Sequence, residues 1–266
     1  MVSATDTGQA RIAAAFAAAE GRAALMPYLM GGFPDLETSR AIGEAYAESG
    51  ADLVELGVPF SDPLADGPVI HAAGTEALAA GATLHGVLEL GRELATTVPV
   101  VLMCYANLVF ARGAERFAGD LAERGISGLI VPDLPLEEVA EALAACDGAG
   151  IALVALVAPT TPDERLAAIA GSARGFVYTV AVTGTTGERD ALAAGVPEML
   201  ARTKARFDVP VAVGFGIGAP AAAFAAAEAG ADGVIVGSRL VRAAAESPEP
   251  PAAVGALVAE FAAALR

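Results

Sequence analysis

One unit keeps returning along this chain: an alanine-rich segment, a glycine stop, then a short and nearly continuous apolar run. It stands as ESGADLVELG (48–57), ERGISGLIVP (123–132), GAGIALVALV (148–157) and EAGADGVIVG (228–237). Gly50, Gly125, Gly150 and Gly230 fall where a helix C-terminus needs the left-handed conformation. Runs that are apolar on both faces are those of parallel strands covered on both sides. Further runs bring the predicted strands to eight: Ala24–Met30, Leu53–Gly57, Val98–Tyr105, Gly128–Val131, Ile151–Val157, Gly175–Val180, Val209–Val213 and Gly233–Val236. Helical segments separate them at a mean spacing of about thirty residues, which is that of a strand-plus-helix unit. Eight such units predict an α/β protein, a closed (β/α)8 barrel. The alternative is a doubly wound open sheet, but no G-x-G-x-x-G follows the first strand. No composition break divides the chain, so residues 1–266 are expected to form a single barrel domain. MVSATDTGQARIAAAFAAAEGR adds an extra amphipathic N-terminal helix, since it lacks the basic start of a signal peptide.

Composition removes several classes of function. At 266 residues the chain buries a large core without staples. Its two cysteines, Cys104 and Cys146, lie far apart and lack metal-ligand spacing, which suits a reducing, cytoplasmic setting. A net charge of -16 argues against nucleic acid and anionic membrane as partners. Val209 to Ala227 is uncharged for about the length of a membrane span. Pro210, Gly214, Gly216, Gly218 and Pro220 interrupt it, however, and predict strand, turn and helix, so a soluble chain is expected.

In a barrel of this kind the active site lies at the carboxyl ends of the strands. There the segment ELGVPFSDPLADGP (55–68) places Glu55 at the end of an apolar strand and Asp66 on the following loop. A carboxylate at a buried strand end is costly unless used or paired, and two of them can form an acid/base pair. Structural readings compete: Glu55 as a buried acid bonded to backbone, Asp66 as a turn or helix N-cap residue. Asp62, before Pro63, reads as turn chemistry, and Asp133 stays open. GFGIGAP (214–220) and GSRLVRAA (237–244) follow the seventh and eighth strands, the usual place for a phosphate in such barrels. Tight turns alone also explain those glycines. The single lysine, Lys204, lies within a helical segment, so a Schiff-base mechanism has no candidate. His71 and His85 pair with no carboxylate in a ligand motif, so no metal site is expected. Cys104 reads as a small apolar filler.

These residues resemble the tryptophan synthase alpha subunit family. ELGVPFSDPLADGP is close to that family's signature, and the likeness continues through MCYANLVF (103–110), VPDLPLEE (131–138), VTGTTG (182–187), GFGI (214–217) and GSRLV (237–241). The resemblance implies a TIM barrel that cleaves indole-3-glycerol phosphate to indole and glyceraldehyde 3-phosphate in tryptophan biosynthesis. It implies Glu55 for the proton steps, Asp66 for the indole nitrogen, and a phosphate against Gly187, Gly216, Gly237 and Ser238. Tyr28, Met103, Tyr105, Tyr178 and Phe215 become lining residues, and Thr186 a loop-closure residue, with Thr185 standing where valine is expected. It further implies a beta subunit that carries pyridoxal phosphate, none being bound by this chain, in an alpha2-beta2 heterotetramer. The contact surface would include Ser61, Asp62, Pro63 and Asn107. Three rivals remain: a stand-alone indole-3-glycerol-phosphate lyase, a partner-activating binding module with little chemistry of its own, and another phosphate-binding barrel such as a sugar-phosphate epimerase or isomerase, which would predict strand-end histidines or metal ligands that are missing.

Overall fold

The computed structural model describes residues 7–19, 21–180, 195–214 and 216–266. In chain order the elements are α1 (Gly8–Ala18), β1 (Ala24–Met30), α2 (Leu36–Glu48), β2 (Val54–Gly57), α3 (Pro68–Ala79), α4 (Leu84–Leu94), β3 (Val100–Met103), α5 (Ala106–Phe110), α6 (Ala114–Glu123) and β4 (Gly128–Ile130). After a 3-10 turn at Leu136–Glu138 come α7 (Val139–Ala149), β5 (Ala152–Val157), α8 (Asp163–Ala170), β6 (Val177–Val180), α9 (Val196–Lys204), β7 (Val211–Gly214), α10 (Pro220–Glu228), β8 (Gly233–Val236), α11 (Ser238–Glu246) and α12 (Pro250–Ala264). The strands are all parallel and close on themselves, β8 pairing back onto β1 with Ala24 opposite Gly233 and Pro27 opposite Val236. The expected closed barrel is therefore what forms.

The glycines that end the repeated helices all take positive φ: Gly50 at 105°, Gly125 at 70°, Gly150 at 73° and Gly230 at 97°. A side chain there would be strained, which is why the stop signal was legible. The third strand is shorter than expected. Pro99 precedes it, and Tyr105 already has the extended N-cap geometry of α5 (φ −80°, ψ 149°).

Inward and outward residues alternate along each strand. Outward residues such as Leu25, Val54, Leu56, Val100, Leu102 and Val234 join the helices in the main core. Inward residues such as Met26, Leu53, Val101, Ile130, Val154 and Ile235 fill the barrel itself. Helix α1 closes its amino-terminal mouth. Ile12 is fully buried among the inward residues, and the Phe16 ring sits 5.8 Å from that of Phe176. Arg11 fixes the plug by donating to the carbonyls of Gly125 and Ala95, just past the C-termini of α6 and α4, where a cation is favoured.

Two of the repeated units share a further device. Asp52 accepts from the Leu25 N–H at 2.8 Å and pairs with Arg22 at 2.7 Å. Asp232 accepts from the Val211 N–H at 2.8 Å and pairs with Lys204 at 2.7 Å. Each aspartate thus holds the start of the preceding strand. The lone lysine closes α9, rather than lying inside a helix, and is engaged structurally, also donating to Gly230 O at 2.9 Å. Among the described residues no helix is long and apolar enough to cross a membrane. The uncharged stretch 209–227 instead contains β7 and most of α10.

Candidate active site

Strand parity builds the site. Leu53, just before β2, is an inward residue, so Glu55 two residues on continues the inward row one step nearer the carboxyl end. Tyr28 on β1 stands opposite Glu55, and Tyr178 on β6 stands opposite Leu156 on β5. Tyr28, Glu55, Leu156, Tyr178 and Met103 line a cavity of ≈ 300 Å³ that opens at the carboxyl ends of the strands. The two tyrosines fit because glycine stands beside each. A Cβ on Gly57 would lie 2.0 Å from the Tyr28 hydroxyl, and one on Gly214 would lie 2.4 Å from that of Tyr178.

The electrostatics are those of carboxyl groups in an apolar chamber. Glu55 is 3% exposed, and its Oε2 has no hydrogen-bond partner among the described residues. Burial, and secondarily the charge of Asp66, push its pKa up from 4.5 to about 8. At neutral pH it therefore carries a proton that it can donate. Asp66 is half-buried and its pKa is also raised by burial, but the Tyr105 hydroxyl and the charge of His71 pull it back. The two groups are thus divided in role, one proton-bearing and one more readily ionised.

The other end of the cavity suits an anion. Helix α11 begins at Ser238 directly after Gly237, so its unsatisfied N–H groups and positive dipole end face the cavity that both residues line. Gly216, at φ 79°, lines the same wall. No acidic residue occupies the first turn of α11.

Of the residues singled out in the sequence, Tyr28, Glu55, Asp66, Met103, Tyr178, Gly216, Gly237 and Ser238 come together around this one cavity. Tyr105 is buried at its edge, where its hydroxyl accepts from the Ala65 N–H at 3.0 Å and its ring stacks on Phe60 at 5.3 Å. Thr186, Gly187 and Phe215 lie outside the described residues. Ser61, Asp62 and Asn107 are exposed and Pro63 is half-buried, on the loop after β2 and on α5. Asp133, left open by the sequence, accepts from the Ala106 N–H at 2.8 Å. Cys104 and Cys146 are buried and free, and burial pushes both thiols up. Lining residues that sequence reasoning missed include Ile70, Pro132, Leu156, Ile217 and Ile235. Inward parity, counted from Glu55 and Tyr28, was the signal available for Leu156 and Ile235. Among the described residues no group of three or more His, Cys, Asp or Glu side chains could hold a metal ion.

The fold and this cavity define a TIM barrel with paired carboxyl groups at one end of a chamber and a helix N-terminus at the other. Residues 15–265 match the family model described as tryptophan synthase alpha chain. The tryptophan synthase alpha chain of Prochlorococcus marinus (strain MIT 9313) is 52% identical over 226 residues, covering 84% of this chain and 82% of that one. That of Methanosarcina mazei is 48% identical over 219 residues, covering 82% and 80%. The solved structure of Mycobacterium tuberculosis tryptophan synthase superposes with a TM-score of 0.90 at 41% identity, covering 96% of this chain and 98% of that one. A chain of the Pyrococcus furiosus tryptophan synthase a2b2 complex, described for its mutual activation, gives 0.85 at 36% identity, covering 90% and 98%. The chain belongs to the tryptophan synthase alpha chain family.

Proposed function

We propose that this cavity carries out the lyase reaction of the tryptophan synthase alpha chain, cleaving indole-3-glycerol phosphate to indole and glyceraldehyde 3-phosphate. The observation that carries the reading is Glu55: a buried carboxyl group, proton-bearing at neutral pH, with one oxygen that has no hydrogen-bond partner among the described residues, inside an apolar chamber. Residues 1–266 act as one barrel domain, and the phosphate of the substrate sits against Gly216, Gly237 and Ser238, with Gly187 completing the cradle. The indole ring lies among Tyr28, Met103, Tyr105, Tyr178 and Phe215, and Thr186 serves loop closure.

The steps follow from the chemistry of the bond. Glu55 gives its proton to indole C3, and the ring nitrogen takes up the positive character. The Asp66 carboxylate, facing the N–H, stabilises that charge. Glu55, now a carboxylate, removes the proton from the hydroxyl on the adjacent glycerol carbon. The O–H electron pair becomes the aldehyde C=O, the bond to C3 breaks, and its electrons restore the indole ring. One proton is donated and one recovered, so Glu55 returns to its starting state without any oxidant or reductant.

The same reading gives the chain a beta subunit as partner, in an α2β2 complex, with pyridoxal phosphate held by that partner and none by this chain. Ser61, Asp62, Pro63 and Asn107 form the contact surface, supported by the exposure of two large apolar side chains among them, Leu64 (79%) and Phe110 (39%). The two buried, free cysteines accord with a cytoplasmic setting. The test is indole release from indole-3-glycerol phosphate by the purified chain, alone and with a pyridoxal-phosphate beta subunit. Slow release that rises strongly with the partner supports the subunit reading. Fast release indifferent to the partner makes the chain a stand-alone lyase, and activation of the partner without any release makes it a binding module.

A further inference from the structure

Tyr105 is placed between the two loops that matter most for this site. Its hydroxyl accepts the Ala65 N–H at 3.0 Å, next to Asp66 in the chain, and its ring stacks on Phe60 at 5.3 Å with planes 24° apart. A hydroxyl that accepts a backbone N–H keeps its own proton to donate. Asp66 follows Ala65 directly and lines the cavity, and the Tyr105 hydroxyl counters the upward pull of burial on it. Tyr105 is in turn fixed from β4. It is the N-cap residue of α5, yet no side chain of its own caps that helix. The cap comes from Asp133, whose Oδ1 accepts from the Ala106 N–H at 2.8 Å. Two strand-end segments far apart in sequence are thereby locked to the loop that carries Asp66.

We propose that Tyr105 is a positioning residue that holds the loop carrying Asp66, and with it the Asp66 carboxylate, at the cavity, with Asp133 setting Tyr105 in place. This rests on the proposed role of Asp66 at the indole nitrogen. The cost of loosening such a group is large relative to the contacts involved, because a displacement of about 1 Å at a reacting group can lower a rate on the order of 100-fold. Among the described residues the other groups facing Asp66 include His71 on α3, Glu55 on β2, Tyr28 on β1 and Tyr178 on β6. Tyr105 also holds the loop backbone at Ala65.

The test is Tyr105→Phe, which keeps the ring on Phe60 and removes only the hydroxyl, measured as steady-state indole release across pH. The expected result is a fall in kcat of roughly 10–100-fold, the range of a displaced catalytic group, with KM within a few-fold of the parent. The rising limb of the pH profile should move to higher pH, and the carboxyl carbon of Asp66 should titrate higher in an NMR experiment. Asp133→Ala should reproduce part of the kcat loss, and Asp133→Asn, which still offers an oxygen to Ala106, should restore it. Unchanged kcat and an unmoved Asp66 titration in Tyr105→Phe overturn the inference, and so does equal loss in both Asp133 variants. Glu55→Gln, run alongside, separates this from the proposed reaction: if it retains full activity the cleavage reading fails, whatever Tyr105 does.

Discussion

Glu55 illustrates how much one residue's environment decides. Its protonated form is favoured by burial, so the folded state holds a proton that the unfolded state releases above its ordinary pKa of 4.5. Below that pH both states are protonated and Glu55 costs nothing. Between 4.5 and about 8 the folded state binds more protons, so stability falls as pH rises, and above about 8 the full cost of a buried charge is present. Glu55→Gln cannot ionise, so its Tm should exceed that of the parent by several degrees at pH 9 and by little at pH 4.5. A difference in Tm that does not depend on pH would mean that Glu55 titrates normally. This residue was legible in the sequence because a carboxylate at the end of an apolar strand is conspicuous. For Leu156 and Ile235 parity gives the inward direction but not the cavity, because an inward apolar residue in a strand looks the same whether it meets core or cavity.

At the scale of elements, the glycine stops and apolar runs were readable because each answers to a local rule: left-handed caps for the helices, two-sided burial for the strands. What could not be read is clearance between neighbouring strands. Gly57 ends β2 and Gly214 ends β7, and each gives up its side chain so that a tyrosine of another strand can stand over the barrel. Nothing near Gly57 in sequence announces Tyr28. Gly57→Ala should displace the Tyr28 ring, cost roughly 1–3 kcal/mol as overpacking, and lower cleavage activity more than stability alone explains. Thermal melts paired with kcat/KM measure both effects, and a variant with normal kinetics would show that Tyr28 can be moved without consequence. Asp133 is a similar case: the sequence left it open, and its use as a cap for α5 depends on β4 and α5 meeting in space.

For the whole molecule, closure of eight parallel strands around one axis brings residues from β1, β2, β3, β6 and the segments after β7 and β8 to a single rim. That convergence is why residues as far apart in the chain as Tyr28 and Ser238 meet in one cavity wall. The proposed partner surface also lies on this rim, on the loop after β2 and on α5. Leu64 is 79% exposed beside Ser61 and Asp62, which makes it a poor core residue and a good docking one. Leu64→Asp should leave the chain's own slow cleavage intact while reducing its activation by a beta subunit at least several-fold, read as indole release against partner concentration. An unchanged activation curve would place the contact elsewhere.

The most direct measurement is the rate of indole formation from indole-3-glycerol phosphate by the parent chain and by Glu55→Gln, with folding of both verified by their melting curves. The parent should release indole, and the variant should be slower by roughly 10²–10⁴, the usual contribution of a general acid/base. Comparable rates for the two folded proteins, or no indole from the parent, would contradict the assignment of this cavity and of Glu55 to the reaction.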